Sequence, residues 1–465
     1  MALAAWLLLS LAASLSAQTF PFVTGNCSWP APEWQGVGTA VERRIPDPEL
    51  QSLLDAVDPA RIRHTVEKLV SFGTRHTLST QTDPKRGIGA ARDWIATEMQ
   101  RYAAAAGVRL TVDTPGYDQG VASRIPFPVR ISNVVATLEG TADPSRVYVV
   151  AGHYDSRVTD VNDYESDAPG ANDDASGVAV VMELCRIISQ RPPKATIIFA
   201  AVAGEEQGLY GSAFLAQSLK KNGTYVEAML NNDIVGSSVG ARGQRDAHSI
   251  RVFAQGPPLT ESAAEARRRL NIGGENDSPA RELARFIGET QLPEMRTQTV
   301  YRLDRYLRGG DHSSFLQQGY AAVRFTEPNE DFTHQHQDVR MVNGKQYGDL
   351  PEFIDYDFVA RVTRLNLATL WSLASAPGRP RNVVIDTTTL ADDSRLRWTR
   401  SAESDLKGYE IVWRRTDAPL WEFYRDVGNI GSATLPISKD NVIFGVRAVG
   451  RNGQKSPAVM PMPAS

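Results

Sequence analysis

Between Val108 and Ser375, short runs rich in β-branched residues alternate with longer amphipathic runs, and this alternation restricts the fold more than any other feature of the chain. VRLTVDT, ISNVVATLEG, RVYVVAGH, ATIIFAAVAG, AMLNNDIVG, SIRVFAQG and AAVRFTE have the length and composition of strands. ASGVAVVMELCRIISQ, YGSAFLAQSLKKN, PARELARFIGETQ and FVARVTRLNLATLWSLAS carry apolar residues at helical spacing. Strands separated by helices return to one sheet in parallel, so the expected fold class is α/β: a mixed, largely parallel sheet flanked by helices. Ligand sites in such sheets gather beyond the carboxyl ends of the strands. His153 follows RVYVVAG, Glu205 and Glu206 follow ATIIFAAVAG, and Asp233 ends AMLNN, so chemistry-bearing side chains fall where that rule puts a site.

Two helical patterns precede this region, PELQSLLDAV with PARIRHTVEKLVSF and GIGAARDWIATEMQRYAAAAG, the last stopping at Gly107. After Ala376 a Pro/Gly/Arg linker, PGRPRN, introduces strand-like runs only: NVVIDTTTL, SRLRWTRS, GYEIVWRR, ATLPIS and NVIFGVRAVG. A chain of 465 residues exceeds what one core organises. The expected division is a large α/β domain over residues 45–376 and a small all-β sandwich over 380–465. Met1 to Ala17 reads as a signal peptide, which implies a secreted or periplasmic protein with no stable membrane insertion after cleavage. Residues 18–44, with TFPFVTGNCSWPAPEW, read as an extended arm over a larger domain.

A net charge of -4 argues against a nucleic-acid partner, which calls for a basic face. With two cysteines, Cys27 and Cys185, the chain is no disulfide-dense scaffold; Cys185, within VAVVMELCRII, reads as a small apolar core residue. Neither cysteine stands beside a candidate base, which removes a thiol nucleophile.

Taken singly, His153, the pair Asp173-Asp174 and the pair Glu205-Glu206 have ordinary structural readings. GHYDS, PGANDDASG, AGEEQGLYGS, NNDIVG and DFTHQHQDVR, in that order along the edge of one sheet, do not. Together they supply two histidines and three carboxylates. Zn²⁺ takes imidazole and carboxylate ligands, and two adjacent ions need a shared carboxylate to offset their repulsion. Five ligands with one shared suit two Zn²⁺ ions.

In order and wording these motifs resemble the di-zinc aminopeptidase and glutamate carboxypeptidase-type metallopeptidases, over roughly residues 45 to 375. The resemblance implies that His153, Asp233 and a shared Asp173 hold one zinc, and that Glu206, a histidine near position 334 and the same Asp173 hold the other. It makes Glu205 the general base that deprotonates a metal-activated water and Asp155 the carboxylate that orients His153, these two being the catalytic candidates. It also implies a cis peptide after Asp173. For the last ligand His334 is the choice, because Asp338 follows it at the family's offset, with His336 as the alternative. Asp311, in GGDHSSF, supports the pocket or caps a helix, His312 binds no metal, and Arg75-His76 line the mouth on the same analogy. Gly177 and Gly204 read as turn or tight-packing residues.

The implied function is a zinc-dependent exopeptidase acting on a peptide or protein substrate, most simply an aminopeptidase. A carboxypeptidase or dipeptidase uses the same metals, a glutaminyl cyclase uses the fold with one zinc, and a non-catalytic receptor-like relative loses ligands. Arg302, Arg305 and Arg308 read as a solvated loop. The C-terminal sandwich resembles a fibronectin type III module, with Trp398 in its core and Phe444 where a tyrosine is usual.

Overall fold

The computed structural model describes residues 37–42, 44–107 and 110–464, so residues 1–17, expected to be a signal peptide, and Cys27 lie outside it. One eight-stranded mixed sheet organises the larger part. In spatial order its strands are Arg296–Val300, Ser249–Ala254, Ala322–Thr326, Tyr225–Asn232, Asp143–His153, Ala195–Val202, Val134–Leu138 and Leu110–Asp113. The four central strands, from Ala322–Thr326 to Ala195–Val202, are mutually parallel; Ser249–Ala254, Val134–Leu138 and Leu110–Asp113 join through antiparallel pairs, and the edge strand Arg296–Val300 runs parallel to Ser249–Ala254.

Both faces of the central strands are buried, which explains why RVYVVAGH and ATIIFAAV read as unbroken apolar runs. Tyr148, Val150, Ile197 and Phe199 face the larger cluster, formed with the helices Pro59–Val70, Gly87–Ala106, Ala175–Ile188 and Tyr356–Ser375. Their neighbours Val149, Ala151, Ile198 and Ala200 point the opposite way, onto Leu215 and Ala216 of the helix Tyr210–Lys221 and Phe315 and Leu316 of the helix His312–Leu316. Two-residue side-chain alternation thus builds a helix–sheet–helix sandwich. The helix Ala175–Ile188 sits unusually close to the sheet. A Cβ on Gly177 would lie 2.2 Å from the carbonyl oxygen of Asn232, and one on Gly152 would lie 2.7 Å from the carbonyl carbon of Gly177.

The C-terminal part packs two four-stranded sheets face to face. One contains Leu406–Arg415 between Phe423–Gly428 and Val442–Gly450; the other contains Arg381–Ile385 and Ser394–Thr399. Leu396 and Trp398 from one sheet meet Ile411, Trp413 and Val446 from the other. The described end of the N-terminal arm adds an edge strand here, Thr39 opposite Tyr424 and Ala40 opposite Phe423, so the arm crosses onto the sandwich.

Charged side chains join the two parts. Arg447, on the strand Val442–Gly450, reaches Glu289 of the helix Pro279–Thr290 at 2.7 Å and Glu410 at 2.7 Å. Arg414 pairs with Asp277 at 2.6 Å, and Lys194 pairs closely with Asp405. Arg447 is 2 % exposed, and its loss leaves the buried Glu289, among the described residues, with only Arg44 at 4.0 Å, while Glu410 keeps Lys455 at 2.8 Å. Arg447→Met is expected to cost about 3–5 kcal/mol of stability, measured by equilibrium denaturation. A loss under about 1 kcal/mol, the range of an exposed ion pair, would remove this junction from the account of stability.

Candidate metal centre and active site

The strand Asp143–His153 ends with His153 at the carboxyl edge of the sheet, beside Val202 of the neighbouring strand. Its Nδ1 lies 3.1 Å from the carbonyl oxygen of Asp155 and 3.5 Å from that residue's Oδ1. Holding the proton there leaves the Nε2 lone pair facing 3.0 Å to Asp173 Oδ1 and 3.9 Å to Asp233 Oδ1. Asp173 turns its second oxygen, Oδ2, to His336 Nε2 at 2.9 Å, and the same nitrogen is 2.9 Å from Glu206 Oε1. Two donor trios result, His153–Asp173–Asp233 and Asp173–Glu206–His336, with the ligand atoms of each within 4.8 Å of one another. They share Asp173.

Of the five residues chosen from sequence, four come together and His334 does not. Its ring stacks on Phe353, with centroids 3.7 Å apart and planes 8° from parallel, and its Nε2 is 3.9 Å from Asp331. Asp338, whose offset favoured His334, accepts a hydrogen bond from the Thr159 N–H instead. Between the two histidines the chain turns, and His336 itself adopts a left-handed φ of 55° that sends its ring inward. Residue offset cannot resolve two histidines on opposite sides of one turn.

Adjacent acids have separate roles. The Asp173-Asp174 peptide is cis. Asp174 faces away from the trios: its carboxylate accepts from the N–H groups of His153, Gly177 and Ile234, tying the strand end, the helix start and the chain beyond Asp233 together. Asp155 accepts from the N–H groups of Glu205 and Glu206, both at 3.2 Å, and from the Thr77 hydroxyl at 2.9 Å. It therefore fixes the turn Glu205–Gly208 as well as His153. Gly204, at φ 72°, lets the chain leave the strand into that turn.

Several contributors carried no sequence signal. Asp349 accepts from the N–H groups of Asn172 and Asp173, and burial pushes its carboxyl up to about 7. Gln335 donates to Asp173 Oδ2 at 3.0 Å. Arg157 donates to Glu206 Oε2 at 2.8 Å, and Arg324 lies 2.8 Å from Asp233 Oδ1. Arg75 and His76 are fully buried rather than lining a mouth, and Arg75 spends its guanidinium on the carbonyls of Tyr154, Pro169 and Gly170. Asp311 makes no cap to the helix His312–Leu316; it is buried nearby, its carboxyl pushed up to about 7 by that burial.

The electrostatics separate the two glutamates. Burial lifts the Glu205 carboxyl well above the usual carboxylate range, helped by the charges of Asp233, Glu206 and Asp311. Burial acts on Glu206 most strongly, but the charge and close approach of His336 together with the charge of Arg157 hold that carboxyl below its ordinary value. His336 is driven to about 10, the charges of Glu206 and Asp173 overcoming its own desolvation. The donor chemistry fits divalent metal: imidazole nitrogen and carboxylate oxygen, in trios, with one carboxylate to share. Glu206 Oε1, though 2.9 Å from His336 Nε2, is buried without hydrogen-bond geometry to any partner, as expected of a lone pair directed at a cation.

The sequence profile of peptidase family M28 matches residues 133–350, which hold all the residues of both trios. A probable zinc metalloprotease of Pyricularia oryzae is 63% identical over 447 residues, covering 94% of this chain and 89% of its own length. The chain belongs to peptidase family M28. A second probable zinc metalloprotease, of Pyrenophora tritici-repentis, is 61% identical, covering 94% of this M28 chain and 91% of its own. Among solved structures LapB from Legionella pneumophila is similar, with a TM-score of 0.50 at 19% identity, covering 72% of this chain and 77% of that one. That likeness is one of fold. The loop arginines of this M28 peptidase are partly neutralised: Arg305 reaches Glu330 at 2.8 Å and Arg308 reaches it at 3.6 Å.

Proposed function

We propose that this chain is a zinc-dependent aminopeptidase that removes N-terminal residues from peptides, with Glu205 as general base. The observation carrying this reading is the pair of trios sharing Asp173, with Glu205 beside them and in neither. In the proposal His153, Asp173 and Asp233 hold one zinc, and Asp173, Glu206 and His336 hold the other. Zinc supplies Lewis acidity that polarises the scissile carbonyl and acidifies water. Glu205, with a carboxyl biased towards holding a proton, accepts the proton of the attacking water and delivers it to the leaving amine. Asp155 is a positioning residue: it holds His153 and the N–H groups of both glutamates.

Glu205 and Asp311 lie near His153 outside both trios, and a free α-ammonium would stabilise their charged forms where a substrate carboxylate would not. This supports amino- over carboxy-terminal specificity. Residues 45–376 are read as the peptidase domain and 380–465 as a fibronectin type III-like module, supported by the face-to-face sheets around Trp398. Export directed by residues 1–17 is part of the same proposal; no helix among the described residues is long and apolar enough to cross a membrane.

The test combines a metal count with a panel of free-amine and N-blocked peptides. Two zinc ions per chain and cleavage of free-amine substrates alone are expected. Equal cleavage of blocked peptides would overturn the aminopeptidase assignment. A single zinc with cyclisation of N-terminal glutamine would transfer the chain to the glutaminyl cyclase chemistry.

A further inference from the structure

We propose that Arg324 couples the metal position of His153, Asp173 and Asp233 to the loop 301–309, so that filling that position tightens the loop; this rests on the metallopeptidase reading above. Arg324 lies on the central strand Ala322–Thr326, and its side chain is 0% exposed. Its guanidinium stands between two carboxylates: Nη2 is 2.8 Å from Asp233 Oδ1, and Nη1 is 3.1 Å from Asp304 Oδ2. Nη1 also donates to the carbonyl of Gly309 at 2.9 Å. A Cβ on Gly310 would come within 2.8 Å of Nη1, so the glycine permits the loop to close over the guanidinium.

The loop is pinned from below and open above. Asp304 is buried and also receives the Arg305 Nε–H at 3.0 Å, while the carbonyl of Leu303 lies 2.9 Å from His312 Nε2. At the tip Tyr306 is 79% and Leu307 105% exposed, and Leu307 holds a left-handed φ of 56°, unfavourable for a branched side chain. Burial of its own tip therefore does not hold this loop. Its anchors do, and Arg324 supplies two of them, at Asp304 and Gly309.

An arginine keeps its charge, so its two carboxylates compete for it. A cation drawing on Asp233 takes up part of that carboxylate's charge and weakens its hold on Arg324. With little solvent to screen it, the added positive charge attracts Asp304 as well, and a guanidinium less drawn to Asp233 can close on Asp304, so the loop is tethered more tightly. Reciprocity follows: whatever holds the loop down strengthens metal binding at that position by the same factor.

Arg302, Arg305 and Arg308 make the loop a trypsin substrate, which provides a readout independent of catalysis. The full chain, zinc-loaded or chelator-treated, is digested and cuts at these three positions are followed by mass spectrometry. Zinc is expected to slow them about five- to tenfold. In Asp304→Asn the chain should still take up two zinc ions, but the loop should be cut quickly and equally with and without them. Arg324→Lys, which keeps the charge and loses the fork that spans both carboxylates, should abolish the zinc dependence too and serves if the first variant misfolds. Cleavage in the natural chain that ignores zinc, or zinc dependence that survives in the folded variants, overturns the coupling. Zinc uptake with an unresponsive loop leaves the metallopeptidase reading standing, whereas a chain that takes up no zinc removes both.

Discussion

Glu205→Gln is expected to lower kcat by about 10²- to 10⁴-fold, the usual contribution of a positioned general base, while two zinc ions per chain remain bound. The retention follows from geometry. Glu205 belongs to neither trio, and its neighbour Glu206 reaches His336 at 2.9 Å and Arg157 at 2.8 Å. Successive residues in a helical turn point about 100° apart, so two adjacent glutamates at the start of Glu205–Gly208 cannot serve the same centre in the same way. Glutamine preserves the volume of the side chain and the backbone N–H that Asp155 holds at 3.2 Å, removing only the capacity to accept a proton. KM should change little. The measurement is steady-state hydrolysis of an aminoacyl chromogenic substrate beside a metal count on the same preparation. Near-natural activity sinks the base assignment; loss of activity together with zinc means that Glu205 is a ligand.

The sequence was informative where one local rule acted. Strand-ending motifs such as RVYVVAGH and ATIIFAAVAGEE carry their own apolar runs, so the sequence alone places the sheet edge and His153, Glu205, Glu206 and Asp233 together. The helix Ala263–Asn271 offers only its Ser262–Glu265 capping box as a sequence signal, since none of its residues is buried and AAEARRRLN is strongly polar. The strand Arg296–Val300 was missed because RTQTV is polar and lies at the sheet's edge. Residues that act through tertiary approach left no trace. Asp349 meets the backbone of Asp173 from 176 residues away, and Arg324 looks like one polar position in a strand until Asp233 and Asp304 flank it. Arg75 shows the converse: expected by analogy to line the mouth, it is a buried strut for three carbonyls.

The choice between two histidines two residues apart yields the other large effect. His336→Ala removes a donor that lies 2.9 Å from both Asp173 Oδ2 and Glu206 Oε1. Losing even a residue behind a metal ligand costs about 10- to 100-fold in affinity, so loss of the ligand itself should exceed about 100-fold at that position. Activity should fall with it, and one zinc per chain should remain after dialysis, held by His153, Asp173 and Asp233. The first position survives because its three donors are untouched, although Asp173 loses one of the partners that fix its second oxygen. His334→Ala removes a ring stacked on Phe353 and touches neither trio. It should lower stability by about 0.5–1.5 kcal/mol, the range of an aromatic pair, and leave both zinc ions and turnover in place. Metal counting on the two variants in parallel decides the matter, because a general loss of fold would strip both positions at once. If His334→Ala instead lost a zinc and His336→Ala kept two, the offset to Asp338 would be the better guide and the second trio would have to be rebuilt around His334.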